Sequence, residues 1–74
     1  MKKNLRIFFG SRLKELRKLN RLTQEQLAEK VGISVDFLSL IERGINAPSF
    51  ETVEKLGQVL NVRVKDLFDF DKEN

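Results

Sequence analysis

The sequence contains no cysteine and no histidine among its 74 residues. Without cysteine it has neither a disulfide framework nor a thiolate metal site, which is the usage expected of a cytoplasmic chain. Without either residue it also lacks the commonest nucleophile, general base and transition-metal ligands. We see no Gly-rich loop that would cradle a phosphate and too little length to form a cleft. We therefore expect no metal, no cofactor and no enzyme activity.

Long apolar runs are also missing. No run approaches the roughly 20 residues of a membrane span, and the basic N-terminus lacks the apolar core and cleavage site of a signal peptide. We expect a cytoplasmic chain with no membrane partner. We expect residues 1–74 to form one small domain with its core at about 5–68 and an acidic tail at 69–74, and we expect no separate domain for a small-molecule ligand.

The net charge of +3 is unevenly distributed along the chain. Residues 1–21 hold eight basic residues against one acid, giving +7, whereas residues 22–74 hold six bases and ten acids, giving −4. This asymmetry indicates either a basic surface that meets a polyanion or only a solvated helix face. The basic candidates for phosphate contact are Lys14, Lys18 and Arg21.

Residues 22–44 have the pattern of two short helices joined by a tight turn. Thr23 and Gln26 have the spacing of a capping box at the start of the first helix. Gly32 stands where a left-handed residue would end that helix. Ser34 can cap the second helix, which is apolar on one side and largely polar on the other. This is the plan of a helix-turn-helix motif.

Apolar periodicity predicts three further helices, at about residues 5–19, 49–60 and 64–68. The fold class is therefore all-α, with five helices and no sheet. Ile7 and Phe8 lie off the inward stripe of the first helix. They are satellites of the core or pack against the last helix or a partner subunit. Ile45, in the loop after the motif, is expected to be buried.

The chain resembles the XRE or Cro/lambda-repressor family of bacterial and phage DNA-binding proteins. The matching segments of the motif are Leu22–Ala28, Gly32–Ser34 and Ile41–Gly44, flanked by Leu13, Leu16 and Arg17 and by Pro48–Ser49 through Leu67–Phe68. The resemblance implies a compact five-helix lambda-repressor-like domain, with the helix-turn-helix at helices 2 and 3. It also implies a homodimeric transcriptional regulator that binds double-stranded DNA, with a palindromic operator as the expected site and a recognition helix at about 34–43.

The resemblance also implies which residues contact DNA. They lie at the start of the first motif helix, along the outer side of the recognition helix and just beyond it: Gln24, Ser34, Val35, Asp36, Phe37, Ser39, Leu40, Arg43 and Asn46. Arg43 is the strongest candidate, because a guanidinium fits a guanine edge or a phosphate in bidentate fashion. Asp36 departs from the pattern, because an acid near the groove repels phosphate and gains only by accepting a bond from cytosine N4.

Three of the implied roles have simpler alternatives. Gln24 would contact a phosphate and brace the recognition helix, or serve only as a helix-start residue. Phe37 would contact a sugar of the DNA backbone or only pack beside the core. Arg17 and Glu42 would form a salt bridge between the first helix and the recognition helix, for which a bidentate guanidinium is well suited; the alternative is two unrelated surface charges.

The expected homodimer needs a surface from this domain. Our candidates are the apolar residues near the C-terminus, namely Val62, Val64, Leu67, Phe68 and Phe70. The alternative is that Leu67 and Phe68 only close the core of the monomer.

A competing function is a protein-interaction adaptor or antitoxin-like module on the same fold, with DNA binding secondary.

Overall fold

The computed structural model describes residues 4–70. These residues form five α-helices and no strand, which confirms the predicted fold class: α1 (Leu5–Leu19), α2 (Gln24–Val31), α3 (Val35–Glu42), α4 (Phe50–Leu60) and α5 (Val64–Leu67). Within this range no helix has the length and apolar character needed to cross a membrane. Residues 71–74 of the predicted acidic tail lie outside the described residues.

Local side-chain bonds determine where the helices of the motif begin and end. Thr23 Oγ1 accepts from the backbone N–H of Gln26 at 3.0 Å, and Gln26 Oε1 accepts from the backbone N–H of Thr23 at 2.9 Å. This reciprocal pair satisfies two N–H groups that the first turn of α2 leaves open. Gly32 ends α2 with φ of 88°, a left-handed conformation that costs glycine little. Ser34 and Ser49 cap α3 and α4.

The core lies between all five helices. α3 packs against α1 and α2, α4 packs against α2, and α5 closes the core by contacting α1 and α4. The large side chains that are fully buried are leucines and one isoleucine: Leu13, Leu27, Leu38, Ile41, Leu56, Leu60 and Leu67. Because α3 contributes only one side to this core, its other side is left facing solvent.

A glycine sets the close approach of α1 to α3, which the sequence pattern did not indicate. A Cβ added at Gly10 would lie 2.7 Å from the Glu42 carbonyl oxygen and nearer still to that of Ile41. Both obstacles are backbone atoms, so relief would require the helices to move apart. Gly10 therefore fixes the spacing between α1 and the end of α3.

The structure answers two expectations about residues outside the central core, Ile45 and Phe8. Ile45 is 45% exposed, so the prediction of a buried side chain is wrong. The loop is anchored through its backbone instead, because Arg6 Nη1 donates to the Ile45 carbonyl at 3.0 Å. Phe8 stacks on Phe70 with ring centroids 5.4 Å apart, so it packs against the segment that follows α5.

The same region corrects part of the predicted dimer surface. Leu67 is 0% exposed and belongs to the monomer's core, so its assignment to an interface is wrong. Phe70 is half-buried, stacked on Phe8, and packed against that core. Its ring thus packs within its own chain, and its contact with a partner stays a prediction. Val62 is also half-buried against the core, whereas Val64 and Phe68 remain exposed.

Candidate nucleic-acid interface

The outer side of α3 faces solvent. Its exposed residues are Ser34, Val35, Asp36 and Arg43, and its half-buried residues are Ser39 and Leu40. The opposite side carries the fully buried Leu38 and Ile41. The helix is therefore anchored by its apolar side and free to present its other side to a ligand.

The first turn of α3 combines a cap with an acid. Ser34 Oγ accepts from the backbone N–H of Phe37 at 3.0 Å, which leaves its O–H able to donate to an acceptor outside the protein. Asp36 lies in the same turn, where the partial positive charge of the helix N-terminus favours a carboxylate. Its presence thus has a structural reason, although an acid there still repels a phosphate.

Phe37 and Asn46 are both half-buried. Phe37 is half-buried and packs against the core, as the packing alternative expects, and its contact with a backbone sugar stays a prediction. Asn46 is half-buried in the loop after α3, where its backbone N–H donates to the Leu40 carbonyl at 3.3 Å. The loop therefore continues directly from the end of the recognition helix.

A buried polar network holds the end of α3 in place. Arg17 Nε donates to Glu42 Oε2 at 2.7 Å and Arg17 Nη2 donates to Glu42 Oε1 at 3.1 Å, forming a bidentate pair. Arg17 Nη1 also donates to the Leu22 carbonyl at 2.9 Å. Gln24 Nε2 donates to Glu42 Oε1 at 2.9 Å. One carboxylate thus joins the recognition helix to both α1 and α2, and the two charges are not unrelated surface groups.

The basic candidates are all exposed. Lys14 and Lys18 stand one turn apart on the same face of α1, and Arg21 occupies the turn before α2 with φ of 60°. Within residues 4–70, neither these three side chains nor Arg43 forms an ion pair with a carboxylate. Their charges therefore remain available to a polyanion. The same range contains no cluster of carboxylates that could hold a metal ion.

Sequence reasoning missed two residues of this domain. Arg12 was not singled out from the sequence, but its Nε donates to the Asp66 carbonyl at 2.8 Å and ties α1 to α5. Phe50 follows the cap Ser49 and is 86% exposed. No sequence signal marked its exposure, because Phe50 stands three residues before the buried Val53 and so shares the helical spacing of the inward-facing stripe of α4.

Comparison with known proteins identifies the family to which this chain belongs. A family model described as helix-turn-helix matches residues 13–67. The chain belongs to this family of DNA-binding transcriptional regulators, which confirms the resemblance seen in its sequence. The relatives are regulators and not enzymes.

Three relatives show how much of the chain this similarity covers. Control protein C.BamHI of Bacillus amyloliquefaciens is 35% identical over 71 residues, which is 95% of this chain and 88% of that protein. The crystal structure of the restriction-modification controller protein C.AhdI from Aeromonas hydrophila has a TM-score of 0.82 at 35% identity, covering 85% of this chain and 96% of that one. SinR, solved in complex with DNA and described as the master regulator for biofilm formation, has a TM-score of 0.78 at 40% identity, covering 82% and 98%.

Proposed function

We propose that this regulator is a cytoplasmic homodimer that binds a palindromic operator in double-stranded DNA with α3 in the major groove. The observation that carries the proposal is the combination of a solvent-facing outer side on α3 with a buried network that fixes the helix from behind. A recognition helix needs both properties, because base contacts require exposed side chains held at a constant angle. The solved complex of SinR with DNA supports the same use of a related domain.

Base contacts are assigned by side-chain chemistry and position. The major groove is about 12 Å wide and admits one α-helix. Arg43 would donate to guanine O6 and N7 or to a phosphate, and the free O–H of Ser34 would donate to a base acceptor. Val35 and Leu40 would contact a thymine methyl. Asp36 would accept from cytosine N4, the base-edge donor that carboxylates usually contact.

Phosphate contacts would position this helix. Gln24 opens α2, where backbone N–H groups at the helix N-terminus favour an anion. Its amide already bonds to Glu42, so a phosphate held at the start of α2 would be linked through Gln24 to the recognition helix. The exposed cations Lys14, Lys18 and Arg21 would supply additional sequence-independent attraction.

Two copies are needed because one small domain makes few contacts. A two-fold dimer would place two recognition helices about 34 Å apart, on successive turns of the major groove. The operator would then mirror the symmetry of the protein.

Selection from a random duplex pool, followed by titration with salt, tests this function. We expect a two-fold symmetric site, and Arg43→Ala should weaken binding by about 1–3 kcal/mol and relax the preference at one position in each half-site. Lys30→Ala is the matched control, since Lys30 is an exposed cation at the far end of α2. The proposal fails if no sequence emerges and binding at physiological salt is weak.

A narrower candidate follows from the two control proteins. Both match this chain over nearly their whole length, which favours a role in controlling restriction–modification genes. The test is whether the selected operator lies in the promoter of such genes and whether deleting the regulator changes their transcript levels. An adaptor or antitoxin-like role would instead be indicated by a tight protein complex together with weak, salt-insensitive DNA binding.

A further inference from the structure

The loop that follows α3, residues 44–47, lies against the first turn of α1. Gly44 turns the chain out of the recognition helix with φ of 78°. A Cβ added at Gly44 would lie 2.8 Å from Ile7 Cγ1 and 2.9 Å from Ile7 Cα, so the loop and α1 are in direct contact. The start of α1 is therefore a neighbour of the segment through which the chain leaves the motif.

Arg6 holds one peptide group of this loop. Its Nη1 donates to the Ile45 carbonyl at 3.0 Å. The N–H of the same peptide group belongs to Asn46 and donates to the Leu40 carbonyl at 3.3 Å. Because a peptide group is planar, bonds at its C=O and at its N–H together fix its orientation. The bond to Leu40 is long, whereas the bond from Arg6 is shorter and has a charged donor, which makes it the stronger of the two.

The reach of Arg6 depends on how closely α1 approaches α3. Arg6, Gly10 and Arg17 stand at i, i+4 and i+11, so they share one face of α1. Gly10 lies against the backbone at the end of α3, and Arg17 pairs with Glu42. This face of α1 is thus attached first to the end of the recognition helix and then, through Arg6, to the loop beyond it.

The loop presents the side chain of Asn46. This side chain is half-buried, and its amide forms no hydrogen bond within the described residues 4–70. Asn46 stands three residues after Arg43, beyond the end of α3. A residue just beyond a helix that lies in the major groove meets the edge of the groove, where the sugar–phosphate backbone runs. Asparagine side chains are among the groups that donate to phosphate oxygens.

We propose that Arg6 is a positioning residue for DNA binding. By fixing the peptide group between Ile45 and Asn46, it holds the Asn46 amide where that amide donates to a phosphate at the edge of the major groove. The inference rests on the proposed function and goes beyond it, because Arg6 acts without touching DNA. Two simpler roles compete with it. Arg6 would only stabilise the end of α3, or its remaining N–H groups would contact a phosphate directly.

Binding to the selected operator, followed by fluorescence anisotropy at several salt concentrations, tests this role. We expect Arg6→Ala to weaken binding by about 10-fold, because each half-site loses one hydrogen bond worth about 3-fold. The salt dependence should stay that of the wild-type chain, since Asn46 is neutral and releases no counterion. Lys55→Ala is the matched control, because Lys55 is an exposed cation of α4 that forms no hydrogen bond within residues 4–70. Its affinity should stay close to that of the wild-type chain.

A double-mutant cycle connects Arg6 to Asn46. Asn46→Ala should weaken binding to a similar extent, and adding Arg6→Ala should weaken it no further, because Arg6 acts through Asn46. Additive losses would overturn the inference. So would a salt slope that falls by about 0.9 for each copy in Arg6→Ala, which would show that Arg6 itself neutralises a phosphate. A variant that melts at a lower temperature but binds the operator normally would leave Arg6 a stabilising role alone, and would also overturn it.

Hydrogen exchange measured by NMR tests the attachment without DNA. In Arg6→Ala the Asn46 amide should exchange faster by about 3-fold or more, because its peptide group has lost the bond at its carbonyl. The amide of Leu38, inside α3, should keep its protection. Unchanged protection at Asn46 would overturn the inference.

The outcomes separate this inference from the proposed function. A wild-type chain that selects an operator, and that binds it equally well after Arg6→Ala, contradicts the role of Arg6 and leaves the proposed function intact. A wild-type chain that selects no DNA sequence contradicts the proposed function, and the role of Arg6 fails with it.

Discussion

Replacement of Arg17 by alanine should destabilise the fold more than any other change to a charged residue on α1. The side chain is buried and makes three hydrogen bonds, two to Glu42 and one to the Leu22 carbonyl. Its removal would leave the Glu42 carboxylate, whose side chain is 2% exposed, with only the Gln24 amide as a partner. The cost is therefore that of an uncompensated charge in the protein interior.

The expected loss of stability follows from the burial of the Glu42 carboxylate. Removing one member of a buried ion pair costs about 3–5 kcal/mol. A domain of this size has a total unfolding free energy of about 4–11 kcal/mol, from roughly 0.05–0.15 kcal/mol per residue. Since 1 kcal/mol shifts the melting temperature of such a domain by about 4–8 °C, we expect Arg17→Ala to lower it by at least about 12 °C.

Thermal melting followed by circular dichroism measures this effect, with Lys18→Ala as the control. Lys18 is the exposed neighbour of Arg17, so its loss should change stability by no more than about 0.5 kcal/mol. Equal melting temperatures for the two variants would refute the argument. Replacing Arg17 and Glu42 together by methionine should recover most of the loss, because no charge then remains buried.

Three further predictions concern packing and capping. Gly10→Ala should lower the free energy of unfolding in urea by about 1–3 kcal/mol, because its Cβ meets the backbone of α3. Gly32→Ala is strained by its positive φ but meets no atoms within 4 Å, so it should lower that free energy less. A larger loss for Gly32→Ala than for Gly10→Ala would contradict this explanation. Thr23→Ala should lose the capping box and about 1 kcal/mol, measured as a drop in melting temperature, whereas an unchanged value would show that the cap is dispensable. Phe70→Ala should lose about 0.5–1.5 kcal/mol of aromatic pairing with α1 beyond its lost burial, and this loss should not depend on protein concentration, as it would if the ring packed against a second copy.

The helices of the motif were predictable because their boundaries depend on neighbouring residues. The capping box at Thr23, the left-handed Gly32 and the cap at Ser34 each act within four residues along the chain. Such bonds form wherever the local sequence allows them, so the pattern indicated the helix starts directly. The contact between Arg17 and Glu42, 25 residues apart, came from family resemblance and not from local chemistry.

The C-terminal surface was harder to predict because it depends on long-range packing. The sequence shows that Leu67 and Phe70 are apolar, but not that α1 lies against them. Arg12 bonds to a carbonyl 54 residues away, and Phe8 stacks on Phe70 over a still larger separation along the chain. The apolar periodicity of a single helix does not show which distant segment packs against it. The exposure of Phe50 was not predicted either, because an apolar residue at the start of a helix is easily assigned to the core.

The carboxylate of Glu42 lies behind the recognition helix, with its partners in α1 and α2. The side chains that set the angle of α3 are thus separate from those that would touch bases. Outward positions such as Val35, Ser39 and Arg43 can therefore be randomised in a library while Arg17, Glu42 and the cap Ser34 are kept. Variants selected from it would change operator preference on an unaltered scaffold, so one small domain can be retargeted without being refolded.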